Sequence, residues 1–202
     1  ATAAIVEVIK AWDEYSDETR TTLSALLARP GGSLTFVSPS GYFRLHYDVT
    51  GPDAVSAEDL DFSGTPDFVE KAASYLDTTL NKHIELGYLM PPSDGTLGGD
   101  SLFDVYFEEM GYYGYAVPEG PGPAEWNDYY SYLVLHRDYI GFPSNDDPEG
   151  NVAGAAKATC AHEYHHCVQF GYDAFADVWI MEFDATWFED IAFDAVNDNY
   201  NY

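Results

Sequence analysis

An α+β fold is predicted for this chain of 202 residues: a mixed or antiparallel sheet packed on one long helix, with a helical segment at the N-terminus. Three patterns carry the prediction. Residues 152–170 contain no proline and one interior glycine, enough for a long helix. Phe43-Arg44-Leu45-His46-Tyr47-Asp48-Val49 alternates apolar and polar residues, the period of a half-buried strand. Short apolar runs at 102–107 and 129–135, bounded by turn-rich sequence, read as two further strands.

Composition narrows the function classes. Eight Lys and Arg stand against 35 Asp and Glu, a formal charge of −27, and such a surface repels phosphate backbones and anionic lipid heads. Nucleic acid and membrane-surface partners are therefore not expected. Nor is membrane insertion, because no run of about 18 apolar residues exists. The opening Ala1-Thr2-Ala3-Ala4, without Met or a basic, apolar leader, fits a mature chain that has lost a signal or pro-segment, or a fragment.

The elements follow in order. Ile5, Val6, Val8, Ile9 and Trp12, then Leu23, Leu26 and Leu27, mark two helices, with Ser16 or Asp17 as the cap between them. Pro30-Gly31-Gly32 closes this piece, so residues 1–32 read as an N-terminal helical segment, possible as a pro-segment remnant, and 33–202 as the main domain. In the 43–49 strand, Phe43, Leu45, Tyr47 and Val49 share one side, which puts His46 on the solvent face.

Residues 59–70 fit a twelve-residue calcium loop. Asp59, Asp61, Ser63 and Asp67 supply oxygens at positions 1, 3, 5 and 9; Gly64 makes the sharp turn; Thr65 offers its carbonyl and Glu70 a carboxylate at position 12. Pro66 departs from the usual apolar β-branched residue, and Gly51-Pro52 leaves little room for an entering helix, so the loop resembles half of an EF-hand, of the kind that stabilises extracellular domains. The plainer alternative is an Asp-rich turn capping the next helix. That helix is marked by Phe68, Val69, Ala72, Ala73, Leu76, Leu80 and Ile84, with Gly87 beyond its end. The aromatic, Gly- and Pro-rich stretch from Tyr112 to Trp126 is expected to form a surface flap or cleft rim. His136 has no partner at ligand spacing and reads as structural, and the acidic 145–149 loop reads as solvated charge.

The long helix, with Asn151 as its N-cap and Gly171 as its stop, carries His162-Glu163-Tyr164-His165-His166. One helical turn stacks His162 over His166. Two imidazoles can hold a zinc ion, and Glu163 is placed to take a proton from a metal-bound water. Catalytic zinc takes a third protein ligand, and Asp173, Asp177, Glu182, Asp184, Glu189 and Asp190 are the downstream candidates. Trp179, Phe183 and Trp187 recur at helical spacing and define an expected inward face, with Glu182 at its edge. Cys160 and Cys167 lie about 10 Å apart along a regular helix, too far for a disulfide, and read with His165 as packing.

His162-Glu163-x-x-His166 followed by Trp179-x-x-Glu182-x-x-Ala185 resembles the gluzincin pattern of thermolysin-like and aminopeptidase-N-like zinc peptidases. The order GTPD (64–67), GGD (98–100), DVY (104–106), AHExxHxxQ (161–169), GYD (171–173) and WxxExxAxWxED (179–190) is similar to a family of secreted microbial metallopeptidases, over roughly residues 40–200. The resemblance implies a zincin-like fold, zinc at His162, His166 and Glu182, Glu163 as general base, a peptide or protein substrate and an extracellular location. The 166–182 spacing is shorter than is usual for gluzincins, and Thr186 stands where thermolysin-like enzymes place an Asp that orients a ligand histidine. Spacing does not fix the oxyanion-stabilising group; Tyr172, directly after the expected end of the metal helix, is the candidate. Two other readings stay open: a non-catalytic, calcium-stabilised extracellular surface or assembly module, for which the Tyr200-Asn201-Tyr202 ending suits self-assembly, and a zymogen silenced by the N-terminal helices.

Overall fold

Leu34–Val37 (β1), Phe43–Tyr47 (β2), Phe103–Glu108 (β3), Gly114–Pro121 (β4) and Tyr129–His136 (β5) form a single mixed sheet ordered β1-β2-β3-β5-β4. The structure, a computed structural model, describes residues 1–198, so the Tyr200-Asn201-Tyr202 ending lies outside the described residues. β2, β3 and β5 run parallel, while β1 and β4 are antiparallel to their neighbours and lie at the two edges. Parallel neighbours need a long crossover, and the helix Asp67–Leu86 (α3) provides it between β2 and β3. Gly87, at φ 82°, adopts the left-handed conformation that ends α3. Two more helices, Asn151–Asp173 (α4) and Val178–Phe193 (α5), follow the sheet.

The sheet is covered on both faces. On one, Phe43, Leu45, Val105, Leu133 and Leu135 are buried against α3 and α4, whose Leu76, Tyr164 and Val168 are fully enclosed. On the other, Tyr106, Tyr115, Val117, Tyr132 and Val134 form a second cluster, closed by Ile5 and Ile9 of the helix Thr2–Lys10 (α1). A 3₁₀ turn, Trp12–Glu14, leads to Asp17–Leu26 (α2), capped by Ser16, whose hydroxyl accepts the Thr19 N–H.

Several expectations change here. The 112–126 stretch is not a flap: most of it is β4, whose Pro118 and Gly120 are tolerated because they sit at an irregular step of an edge strand. His46 is buried instead of solvent-facing, because the N-terminal segment covers that face; its Nε2 meets Asp104 Oδ1 at 2.6 Å and its ring stacks on Tyr106. The segment is fastened by Arg29, which pairs with Asp94, Asp104 and Glu119, and by Tyr132, whose hydroxyl donates to the Leu27 carbonyl at 2.8 Å. The 145–149 loop is not simply solvated charge. Asp147 is buried, and Lys157 of α4 is its counter-ion at 2.9 Å.

A polar relay joins α3, α4 and α5. His83 donates from Nδ1 to the Thr79 carbonyl at 2.9 Å, its Nε2 shares a hydrogen bond with His165 Nδ1 at 2.9 Å, and His165 Nε2 meets Asp184 Oδ2 at 2.7 Å. His165 is thus a bonded link in addition to being packed.

Two stability predictions follow from these networks. Arg29→Ala strands enclosed carboxylates without their cation and should cost about 3–5 kcal/mol, measured as the shift in urea denaturation at constant slope. Burial, and then the neighbouring His165, push the pKa of His83 down from 6.5 to about 3. The unfolded chain therefore takes up a proton that the folded chain refuses, and this group removes stability as pH falls through that window, by at most about 1.4 kcal/mol per pH unit. His83→Gln should flatten the pH dependence of unfolding by that amount; an unchanged slope would contradict the assignment.

Candidate metal centre

α4 packs beneath the sheet through the small Ala155, Ala156 and Cys160, together with Tyr164 and Val168, all buried. It is longer than the sequence suggests. Gly150, with φ 101°, replaces Asn151 as its N-cap, and Gly171 lies inside the last turn instead of ending the helix. Cys160 and Cys167 are free, buried thiols. β4 passes directly over the helix at Gly114. A Cβ there would come within 2.8 Å of Thr159 Cγ2 and of the Val134 carbonyl, and 3.4 Å from Glu163 Cγ. Only a residue without a side chain lets the edge strand approach Glu163 so closely.

His162 and His166 turn their Nε2 atoms toward one another at 3.0 Å. Glu182 on α5 adds its carboxylate, with Oε2 at 3.3 Å from His162 Nε2 and Oε1 at 3.6 Å from His166 Nε2. One donor atom from each residue lies within 4.8 Å of the others. The opposite ring nitrogens are committed elsewhere. His162 Nδ1 donates to Glu189 Oε1 at 2.7 Å, and His166 Nδ1 donates to Gln169 Oε1 at 2.8 Å. Gln169 is held in turn by the Met181 carbonyl and Asp184. With both Nδ1 atoms committed to these partners, the two Nε2 atoms are the positions through which the rings would hold a cation, which on His162 would displace the proton held there by the carboxylates. Two imidazoles and one carboxylate form a donor set that suits zinc.

The electrostatics agree with a cationic guest. Burial alone would depress His162, but hydrogen bonds to Glu182 and Glu189, with Glu163 close by, hold its pKa up at about 10. Glu163 is buried at 7 % exposure, and that desolvation raises its pKa against the opposing pull of His162 and the Thr2 hydroxyl. A carboxylate so raised is better matched to proton transfer near neutral pH than an exposed one. It lines a cavity of about 350 Å³ with Tyr113, Thr159, His162, Thr186 and Glu189.

The structure therefore brings His162, His166, Glu182 and Glu163 together. Tyr172 is not part of this group: it is exposed, and its hydroxyl accepts the Leu89 N–H at 2.8 Å. The inward face expected of α5 is also inverted. Met181, Ala185 and Phe188 are the buried residues, and Trp179 and Phe183 are 66 % and 70 % exposed. Glu182 and Glu189 must both face His162, which fixes the rotation of α5 and turns the aromatic stripe outward. Thr186 does not orient the histidine; Glu189 does, one turn further along. Gln169, three residues after His166, could have been found from helical spacing.

The calcium-loop residues are partly gathered. Asp59, Asp61 and Asp67 bring oxygens within 4.8 Å of one another. Asp59 and Asp61 both accept the Ser63 N–H, and Ser63 Oγ accepts the Thr65 N–H while donating to the Thr65 carbonyl. Glu70 stands on the first turn of α3, outside that trio, and the segment 48–58 that leads into the loop is not helical. His136 is buried and accepts the Asp138 and Tyr139 N–H groups at Nδ1, a structural role.

No protein-family model, curated protein or solved structure matches the chain. Among the described residues no helix is long and apolar enough to cross a membrane.

Glu189→Ala frees the His162 ring and should weaken zinc affinity by about 10–100-fold, measured by competition with a chromogenic chelator; unchanged affinity would remove its orienting role.

Proposed function

We propose that the chain is a zinc-dependent peptidase with a zincin-like arrangement of sheet and metal helix. The observation that carries this reading is the convergence of His162 Nε2, His166 Nε2 and the Glu182 carboxylate beside the buried Glu163. Zinc bound there supplies a Lewis acid for the scissile carbonyl and lowers the pKa of water. Glu163 takes the proton from the attacking water and returns it to the leaving amine. Glu189 and Gln169 keep the two imidazoles in the ligating tautomer.

A substrate in extended conformation would add to the outer edge of β4, the strand that passes over Glu163. The Ala116 N–H is directed away from β5, toward the side where such a strand would pair. We further propose calcium at the 59–70 loop, ligated by Asp59, Asp61, Ser63 and Asp67, the Thr65 carbonyl and, after a small movement, Glu70. Binding on the order of 10⁻⁴ to 10⁻³ M would suit a secreted or cell-surface protein.

Glu163→Gln should retain one zinc per chain and lower peptide hydrolysis by on the order of 10²-fold or more. Metal analysis and a peptide-library digest check this together, and a fully active variant would remove the mechanism.

A further inference from the structure

The outer edge of β4 is already engaged. Thr2 Oγ1 accepts the Ala116 N–H at 2.9 Å and donates to Glu163 Oε2 at 2.6 Å. One hydroxyl thus occupies both the backbone donor that would hold an extended peptide and the carboxylate that would act on its water. Thr2 is 2 % exposed, and α1 lies along β4 and reaches α5. We propose that residues 1–10 are a built-in competitor, which occupies the substrate strand position and holds Glu163 until α1 lifts away. The proposal rests on the peptidase reading and specifies how that site is regulated.

The seat of α1 is shallow, as a displaceable cover requires. Its only buried residues are Thr2 and Val6, with Ile5 and Ile9 packed at the rim of the tyrosine cluster. The 3₁₀ turn and α2 that follow bury nothing. Strong fastening begins only at Leu27 and Arg29, toward the far end of β4, where Arg29 pairs with Glu119. Between these anchors and α1, a groove of about 570 Å³ runs under the segment, lined by Trp12, Leu27, Val117 and Glu119. Elements with few buried contacts open locally at low cost, so α1 can leave while residues 27–32 keep the second face of the sheet covered. A substrate then binds only the lifted fraction, and its apparent affinity falls by that fraction.

The test uses the full chain with Glu163→Gln throughout, so that bound peptide is not cut and Thr2 still meets an acceptor oxygen. Fluorescein-labelled insulin B chain is titrated into this protein, a Thr2→Ala variant and an Ile5→Asp/Ile9→Asp double variant, with zinc content measured on the same samples. The double variant should bind at least about tenfold more tightly, Thr2→Ala should gain in the same direction, and a synthetic copy of residues 1–15 should displace the labelled peptide. Equal or weaker binding in both variants overturns the proposal and leaves Thr2 as a positioning residue for Glu163. Should the aspartates unfold the chain, the Thr2→Ala comparison decides alone. Tighter binding in samples without zinc would uphold the competitor and sink the metal reading, which keeps the two failures apart.

Discussion

The packing of α5 on α4 is set by two carboxylates, Glu182 and Glu189, that must both reach His162. His162 lies on a helix buried on nearly every side, where an unsatisfied imidazole nitrogen is costly. Satisfying Nδ1 with Glu189 and turning Nε2 toward Glu182 fixes both the rotation and the height of α5 on α4. The rest follows from that constraint: Met181, Ala185 and Phe188 become the packing face, Asp184 is delivered to His165, and the aromatic stripe is left outside. The same constraint concentrates negative charge around two imidazoles, which suits a cation.

A chain with 35 acidic residues and eight Lys and Arg must place its few cations with care. Arg29 serves three carboxylates and ties the N-terminal segment to the sheet. Lys157, in the second turn of α4, neutralises the buried Asp147. Neither residue stands beside His162, His166 and Glu182. Around His162 and His166 the facing groups are the carboxylates of Glu182 and Glu189.

What the sequence revealed depended on how local each feature was. His162, His166 and the candidate Glu182 were readable because one helical turn and one following helix bring them together. Glu189 was visible only as one of several downstream acids; choosing its role needs the α4–α5 rotation, which no local period encodes. The alternation in β2 put Phe43, Leu45 and Tyr47 on one side, as found, but Val49 lies beyond the strand and exposed, and alternation carries no sign that the second side is covered, which buries His46. β4 escaped notice because Pro118 and Gly120 lower strand propensity, a cost an edge strand tolerates. The aromatic stripe at 179, 183 and 187 misled for the opposite reason: hydrophobic periodicity marks a face without saying whether core or solvent meets it. The Thr2 contact spans 161 positions and had no signal in spacing.

His162, His166 and Glu182 are proposed to form one zinc site. X-ray absorption at the zinc edge, on protein reconstituted with one equivalent of metal, tests it most directly. Two imidazole nitrogens and a carboxylate oxygen at about 2.0–2.2 Å are expected, with the carboxylate contribution lost in Glu182→Ala. A zinc shell that is unchanged by that substitution, or zinc that fails to bind the chain at stoichiometric concentration, would contradict it.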